Sequence, residues 1–95
     1  MIKSDAVQVL GALAHGGRLE IFRYLVQLGL EGATAGTIGK RLSLSASTLS
    51  FHLSSLKKSK LINARRDGRT IIYTADFNTM NNIMAYLMQN CCAGR

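Results

Sequence analysis

Proline and tryptophan are absent from this 95-residue chain, aromatic residues make up only 6% of it, and it has five acidic side chains and two cysteines. With no proline and no low-complexity tract there is no sign of a linker, so a single domain spanning residues 1–95 is expected. Two cysteines, Cys91 and Cys92 near the end of the chain, cannot form a disulfide framework, and a reducing, cytoplasmic setting fits them best. No apolar run approaches the roughly 18 residues of a membrane span, and no signal-peptide pattern opens the chain. A membrane partner is not expected.

What is plentiful is apolar surface and positive charge. Hydrophobic residues reach 47%, more than a lone core of this size needs, since a monomer this small buries only roughly 60–65% of its unfolded surface. Oligomerisation would use the surplus. The net charge is +7, which points to a polyanionic partner. Residues 40–69 carry Lys40, Arg41, Lys57, Lys58, Lys60, Arg65, Arg66 and Arg69 against the single acid Asp67, so this stretch alone holds a net +7. Elsewhere Lys3, Arg18, Arg23 and Arg95 cancel Asp5, Glu20, Glu31 and Asp76. A solvated basic face is the plain alternative, but here the charge coincides with a motif.

Apolar periodicity predicts a first helix capped by Ser4, with Val7, Leu10 and Leu13 on one face. His15-Gly16-Gly17 breaks it, and a second helix runs from about Arg18 to Leu28 with Leu19, Phe22, Leu25 and Val26 along one side. After a glycine-bounded loop, Thr34 opens a third helix through Leu42, with Ile38 and Leu42 inward. Ser43 to Ser45 makes a turn into a fourth helix ending near Ser59, whose stripe is Leu49, Leu53 and Leu56. Leu61–Arg66 and Arg69–Ala75 read as strands joined at Asp67-Gly68, a two-residue hairpin signal. A last helix from Phe77 to about Cys92 carries Met80, Ile83, Met84, Leu87 and Met88. The order is ααααββα, mainly α with one small hairpin.

The third and fourth helices have the form of a helix-turn-helix, whose second member presents its N-terminal residues to the major groove. Ser45, Ser47, Thr48 and Ser50 supply short hydroxyls there, suited to phosphates or base edges, and the helix N-terminus favours a phosphate. His52 lies one turn on, either at the DNA or hydrogen-bonded within the fold, and Phe51 is for packing or a thymine methyl. Lys57, Lys58 and Lys60, with Arg65, Arg66 and Arg69 of the hairpin, would neutralise phosphates or enter a minor groove.

In these residues the chain closely resembles the ArsR/SmtB family of winged helix-turn-helix repressors. The resemblance rests on Ala12–His15 with Arg18–Ile21, on Leu44–Ser50 with His52-Leu53, and on Leu56-Lys57, Leu61-Ile62, Arg65–Arg69 and Tyr73, in order over about residues 4–90. It implies a homodimer through the first and last helices, a palindromic double-stranded operator, and release on binding an inducer. Val7, Leu10, Met80, Met84 and Leu87 are the expected dimer residues. Two departures stand out. Gly16-Gly17 replaces a proline-containing turn, which should loosen the start of the second helix. Lys60 occupies a position usually held by glycine, and at φ > 0 it would carry about 1–2 kcal/mol of strain.

The resemblance also suggests inducers. Ala33–Ile38 has no thiol for a metal site in the third helix. Asp76 matches a zinc-ligand position, but the last helix contains no His or Glu, so zinc is not expected. Cys91 and Cys92 resemble the vicinal pair with which some members sense As(III) or Sb(III), soft ions suited to thiolates, though no third cysteine exists. Incidental cysteines or thiol redox sensing are the alternatives. With two histidines inside these motifs and acids scattered singly, no catalytic constellation is present and an enzyme is not expected. The expected function is a dimeric repressor released by As(III) or Sb(III), and a basic nucleic-acid-binding module without inducer is the other class.

Overall fold

The structure is a computed structural model and describes residues 1–93. Its elements are α1 (Lys3–Leu13), α2 (Gly16–Leu28), a 3-10 turn (Gly29–Glu31), β1 (Ala33–Thr34), α3 (Ala35–Leu42), α4 (Ala46–Lys58), β2 (Ile62–Asp67), β3 (Thr70–Ala75) and α5 (Phe77–Met88). The strands form one antiparallel sheet in the order β1-β3-β2.

Three helices start where a side chain satisfies an otherwise orphaned amide. Thr34 accepts from the Thr37 amide, Ser45 from the Thr48 amide and Asp76 from the Thr79 amide. α1 differs from expectation: the cap position is Ile2, not Ser4, and no side chain closes it. α2 also begins earlier, at Gly16, after a His15 in extended conformation. The two glycines therefore open α2 instead of interrupting the chain.

Leu49, Leu53 and Leu56 of α4 lie in one cluster with Ile21, Phe22 and Leu25 of α2 and Ile38 of α3. Ile21, Leu25, Ile38, Leu56 and Leu61 are fully enclosed. α1 turns Ala6 and Val9 into this core, whereas Val7 and Leu10 face outward, and Leu19 of α2 is likewise exposed.

The sheet departs from the expected hairpin in two ways. β1 adds a third strand, too short for any periodicity to announce it, pairing Ala33 with Tyr73 and Thr34 with Ile72. The tight turn is displaced by one residue. Asp67 pairs with Thr70, so Gly68 and Arg69 are the central residues. Only Gly68 has positive φ (64°), the pattern of a type II′ turn, which needs a left-handed residue at the first central position alone. α5 stops at Met88 instead of reaching Cys92, with Gln89 extended and Asn90 at φ 60°.

The end of α4 is closed by a Schellman motif. The Leu61 amide donates to the Leu56 carbonyl and the Lys60 amide to the Lys57 carbonyl, and the enclosed side chains of Leu56 and Leu61 supply its apolar contact. The left-handed residue the motif requires is Lys60, at φ 64°. Replacing it with glycine removes a Cβ penalty at the junction from reading helix to wing. Lys60→Gly should raise unfolding free energy by about 1 kcal/mol, checked as a shift in urea midpoint at constant slope. An unchanged or lower midpoint would show that the lysine is unstrained.

Candidate nucleic-acid interface

α3 and α4 meet closely because α3 has no side chain at Gly39, where a Cβ would come within 3.3 Å of both the Leu44 carbonyl oxygen and a Leu49 methyl. Ser43, left-handed at φ 57°, turns the chain, and Ser45 caps α4. The Ser45 hydroxyl accepts from the Thr48 amide at 3.3 Å and donates to Thr48 Oγ1 at 2.9 Å. These two hydroxyls are therefore tied to the helix start, while Ser47, Ser50, Phe51 and Ser54 stand exposed on the face opposite the core. Phe51 is 63% exposed, its ring tilted 5.9 Å from that of His52, and it presents most of its surface on the outer face of α4.

A groove of about 760 Å3 runs between α3, α4 and the sheet. Lys40 stands on one side, Ser50, Ser54, Lys57 and Lys58 on the other, Leu49 and Leu53 at its base, and Tyr73 of β3 closes the wing end. Strand alternation places Ala64 and Arg66 of β2 on Tyr73's face, through the pairs Ala64–Tyr73 and Arg66–Ile71. Arg69 lies in the turn at the wing tip. Arg41 is drawn away, its guanidinium 5.8 Å from the ring centre of Tyr24 on α2. The groove thus has cations on both banks and a wing beyond it, a charge arrangement suited to a phosphodiester backbone.

Two residues that look like DNA contacts in the sequence are engaged elsewhere. His52 is only 5% exposed and points into the joint between α4 and the start of α2, so it cannot reach a base edge. Its ring lies 4.7 Å from that of His15. A Cβ on Gly17 would come within 2.8 Å of its Nε2, so the glycine makes room for the imidazole. Its Nδ1 is buried without a hydrogen-bond partner among the described residues. Beside it, Arg18 Nε donates to the Ala12 carbonyl at 2.9 Å and Nη1 to Ser55 Oγ at 3.2 Å. Arg65 leaves the sheet on the face away from Tyr73 and donates to the carbonyls of Leu30 and Glu31. Sequence periodicity places His52 beside the apolar stripe, three residues after Leu49 and four before Leu56, but no pattern indicates that Gly17 leaves it a cavity.

Of the other expected residues, Val7, Leu10, Met84 and Leu87 are exposed and Met80 is half-buried against the core. Met88, 65% exposed, extends the same face of α5. Asp76 is occupied as the α5 cap. Cys91 and Cys92 are free, exposed thiols beyond α5, with sulfurs 3.7 Å apart. Among the described residues no three of His, Cys, Asp and Glu come together. No helix of the described residues is long and apolar enough to cross a membrane.

A reading helix seated by a small residue, a basic groove and a flanking hairpin define a winged helix-turn-helix DNA-binding protein. A family model, the helix-turn-helix domain, matches residues 13–65. The transcriptional activator HlyU of Vibrio cholerae is 33% identical over 89 residues, which are 94% of this chain and 80% of that protein. An ArsR-like transcriptional regulator from Rhodococcus sp. RHA1 matches with a TM-score of 0.79 at 28% identity, over 95% of this chain and 81% of that one. The homodimeric winged helix-turn-helix DNA-binding domain of a possible ArsR-family transcriptional regulator from Mycobacterium bovis matches at 0.74 and 27%, over 90% and 77%. The chain belongs to the ArsR/HlyU type of winged helix-turn-helix transcription regulators. It is a DNA-binding regulator and not an enzyme.

Burial, then the neighbouring His15, then Arg18 hold His52 below the ordinary histidine pKa. Because the folded state resists a proton that the unfolded chain accepts near pH 6.5, this contribution to stability is complete above that pH and is lost as pH falls through the lower folded value. Thermal stability should therefore drop between pH 7.5 and 5.5, and His52→Leu should drop less. Equal losses in the two proteins would assign the pH dependence to another group.

Proposed function

We propose that this regulator works as a homodimeric repressor that occludes a palindromic operator and lets go when a thiophilic ion, As(III) or Sb(III), binds Cys91 and Cys92. The observation that carries the dimer is the unpartnered apolar face shared by α1 and α5. Val7, Met84, Leu87 and Met88 are each 57–65% exposed, and burying such a side chain stabilises by about 1.5–3 kcal/mol. The protomer exposes 6420 Å2, against about 5,400 Å2 for a compact monomer of its size. Its radius of gyration is 14.5 Å, against roughly 12 Å. Both excesses suit a protomer whose core is completed by a second copy. Two reading helices so joined would reach half-sites roughly 34–36 Å apart. Ser47, Ser50 and Phe51 would meet base edges there, while Lys57, Lys58, Arg66 and Arg69 would meet phosphates.

Met84→Glu with Leu87→Glu should convert the dimer to a monomer in sedimentation and weaken binding to a two-half-site operator at least a hundredfold, with a single half-site affected little. A variant that stays dimeric would place the seam elsewhere.

For release, the support is the chemistry of the pair. Two exposed thiols with sulfurs 3.7 Å apart can chelate one soft ion, and a third donor would come from a small thiol or the partner protomer. An intramolecular disulfide suits this pair less, because adjacent Cα atoms lie about 3.8 Å apart and disulfides favour about 4.4–6.8 Å. Cys91→Ser with Cys92→Ser should bind operator as the native protein does and no longer be released by arsenite. Titrating native protein with As(III), Sb(III), Zn(II), Cd(II) and peroxide in parallel separates the readings, since release by peroxide alone would favour a redox switch.

A further inference from the structure

Arg65 and Arg66 are adjacent cations in the wing, yet the structure gives them different work. We infer that Arg65 is a positioning residue that latches the wing to the turn after α2, while Arg66 faces the DNA. This rests on the placement of the wing at the DNA proposed above.

Alternation along β2 puts Arg65 on the side of the sheet away from Tyr73 and the groove. In register it stands opposite Ile72 of β3, whose other neighbour is Thr34 of β1. Its guanidinium extends across the sheet and donates from Nη1 to the Leu30 carbonyl at 3.0 Å and from Nη2 to the Glu31 carbonyl at 3.3 Å. These are consecutive carbonyls at the end of the 3-10 turn, where carbonyl groups lack helical partners. A planar fork of donors is the side chain suited to hold two at once.

The receiving turn is itself anchored. Gly32 follows it at φ 65°, and a Cβ there would fall within 3 Å of Tyr73 O, Thr74 Cγ2 and Ile72 Cγ2, so the backbone lies directly on β3. The position of the latch along the wing explains its use. β1 covers β3 only at Tyr73 and Ile72. Beyond Ile72 the hairpin is a bare two-stranded ribbon, Arg66 to Ile71, with every residue exposed. Such a ribbon is marginally stable alone. Arg65 sits at the last pair before this free tip, and by fixing that pair it sets the direction in which Arg66 and Arg69 project.

The test measures operator affinity across a salt series for the native protein, Arg65→Ala, Arg65→Lys and Arg66→Ala, together with amide exchange of residues 66–71 without DNA. Arg66→Ala should reduce the magnitude of the salt slope by about 1.8, the value of one lost phosphate contact in each wing of the dimer, with tip exchange unchanged. Arg65→Ala should lose roughly three- to tenfold in affinity, keep the native salt slope and speed tip exchange. Arg65→Lys keeps the charge but not the fork and should recover less than half of the loss. A slope reduced in Arg65→Ala as in Arg66→Ala, full rescue by lysine, or unchanged tip exchange would each overturn the inference. If Arg66→Ala leaves the slope unchanged, the wing is not at the DNA, and the exchange measurement still decides the latch. Should Arg65→Ala melt well below the native protein, Arg65→Gln, which retains an amide donor, carries the same comparison.

Discussion

The burial of Leu49, Leu53 and Leu56 in the cluster formed with α2 and α3 is what lets a thirteen-residue helix offer its other side to DNA. A helix that short is marginal alone, since most helical stability in proteins comes from packing one face. Here the packed face also fixes rotation about the helix axis, and so decides which side chains are presented. Leu56 extends this control past the helix end. Its contact with Leu61 belongs to the motif that turns the chain into β2. The amide of Asp76, which caps α5, donates to the carbonyl of the same Leu61. Reading helix, wing and last helix are thus referred to one short segment.

That arrangement tolerates local costs. Lys60 occupies a left-handed position at the α4 exit, and His52 keeps a buried nitrogen without a partner among the described residues. Both features sit where the DNA-reading element is joined to its support, which is where departures from local consistency are expected. Gly17 belongs to the same account. The glycine allows α2 to approach the imidazole more closely than a side chain would permit.

Much of this was legible in the chain. The Leu49–Leu53–Leu56 stripe, the Ser45 cap and the concentration of charge between residues 40 and 69 locate the reading unit, because burial and capping act over a few residues and leave a periodic trace. The misplaced parts depend on contacts remote in sequence. β1 has two residues and exists only because β3 is beside it. The turn register moved from Asp67-Gly68 to Gly68-Arg69 because pairing along the whole hairpin outweighs the turn dipeptide. His52 follows the hydroxyl cluster in sequence, and only the fold brings Gly17 and His15 against it. Arg65 and Arg66 differ only in strand parity and in a pair of carbonyls some 35 positions earlier. Neither is marked by residue type.

Arg18 is where a change at the outer helices would be felt by the reading helix. Arg18 donates to the carbonyl of Ala12, in the last turn of α1, and to Ser55, in the last turn of α4. One side chain therefore bridges a helix with an outward apolar face and the helix that carries the reading residues. Movement of the end of α1 must either break the bond to Ala12 or draw on the bond to Ser55. With α4 held by close packing against α2 and α3, the cheaper response is a small rotation of the whole unit, because packed interfaces shift between discrete arrangements and do not deform continuously. Coupling free energies between distant sites are commonly about 1–3 kcal/mol, the scale of one or two such hydrogen bonds. In the proposed dimer, a rotation of that kind would displace the reading helix relative to its symmetry mate without unfolding it, and so disturb its match to two half-sites while each domain stays intact.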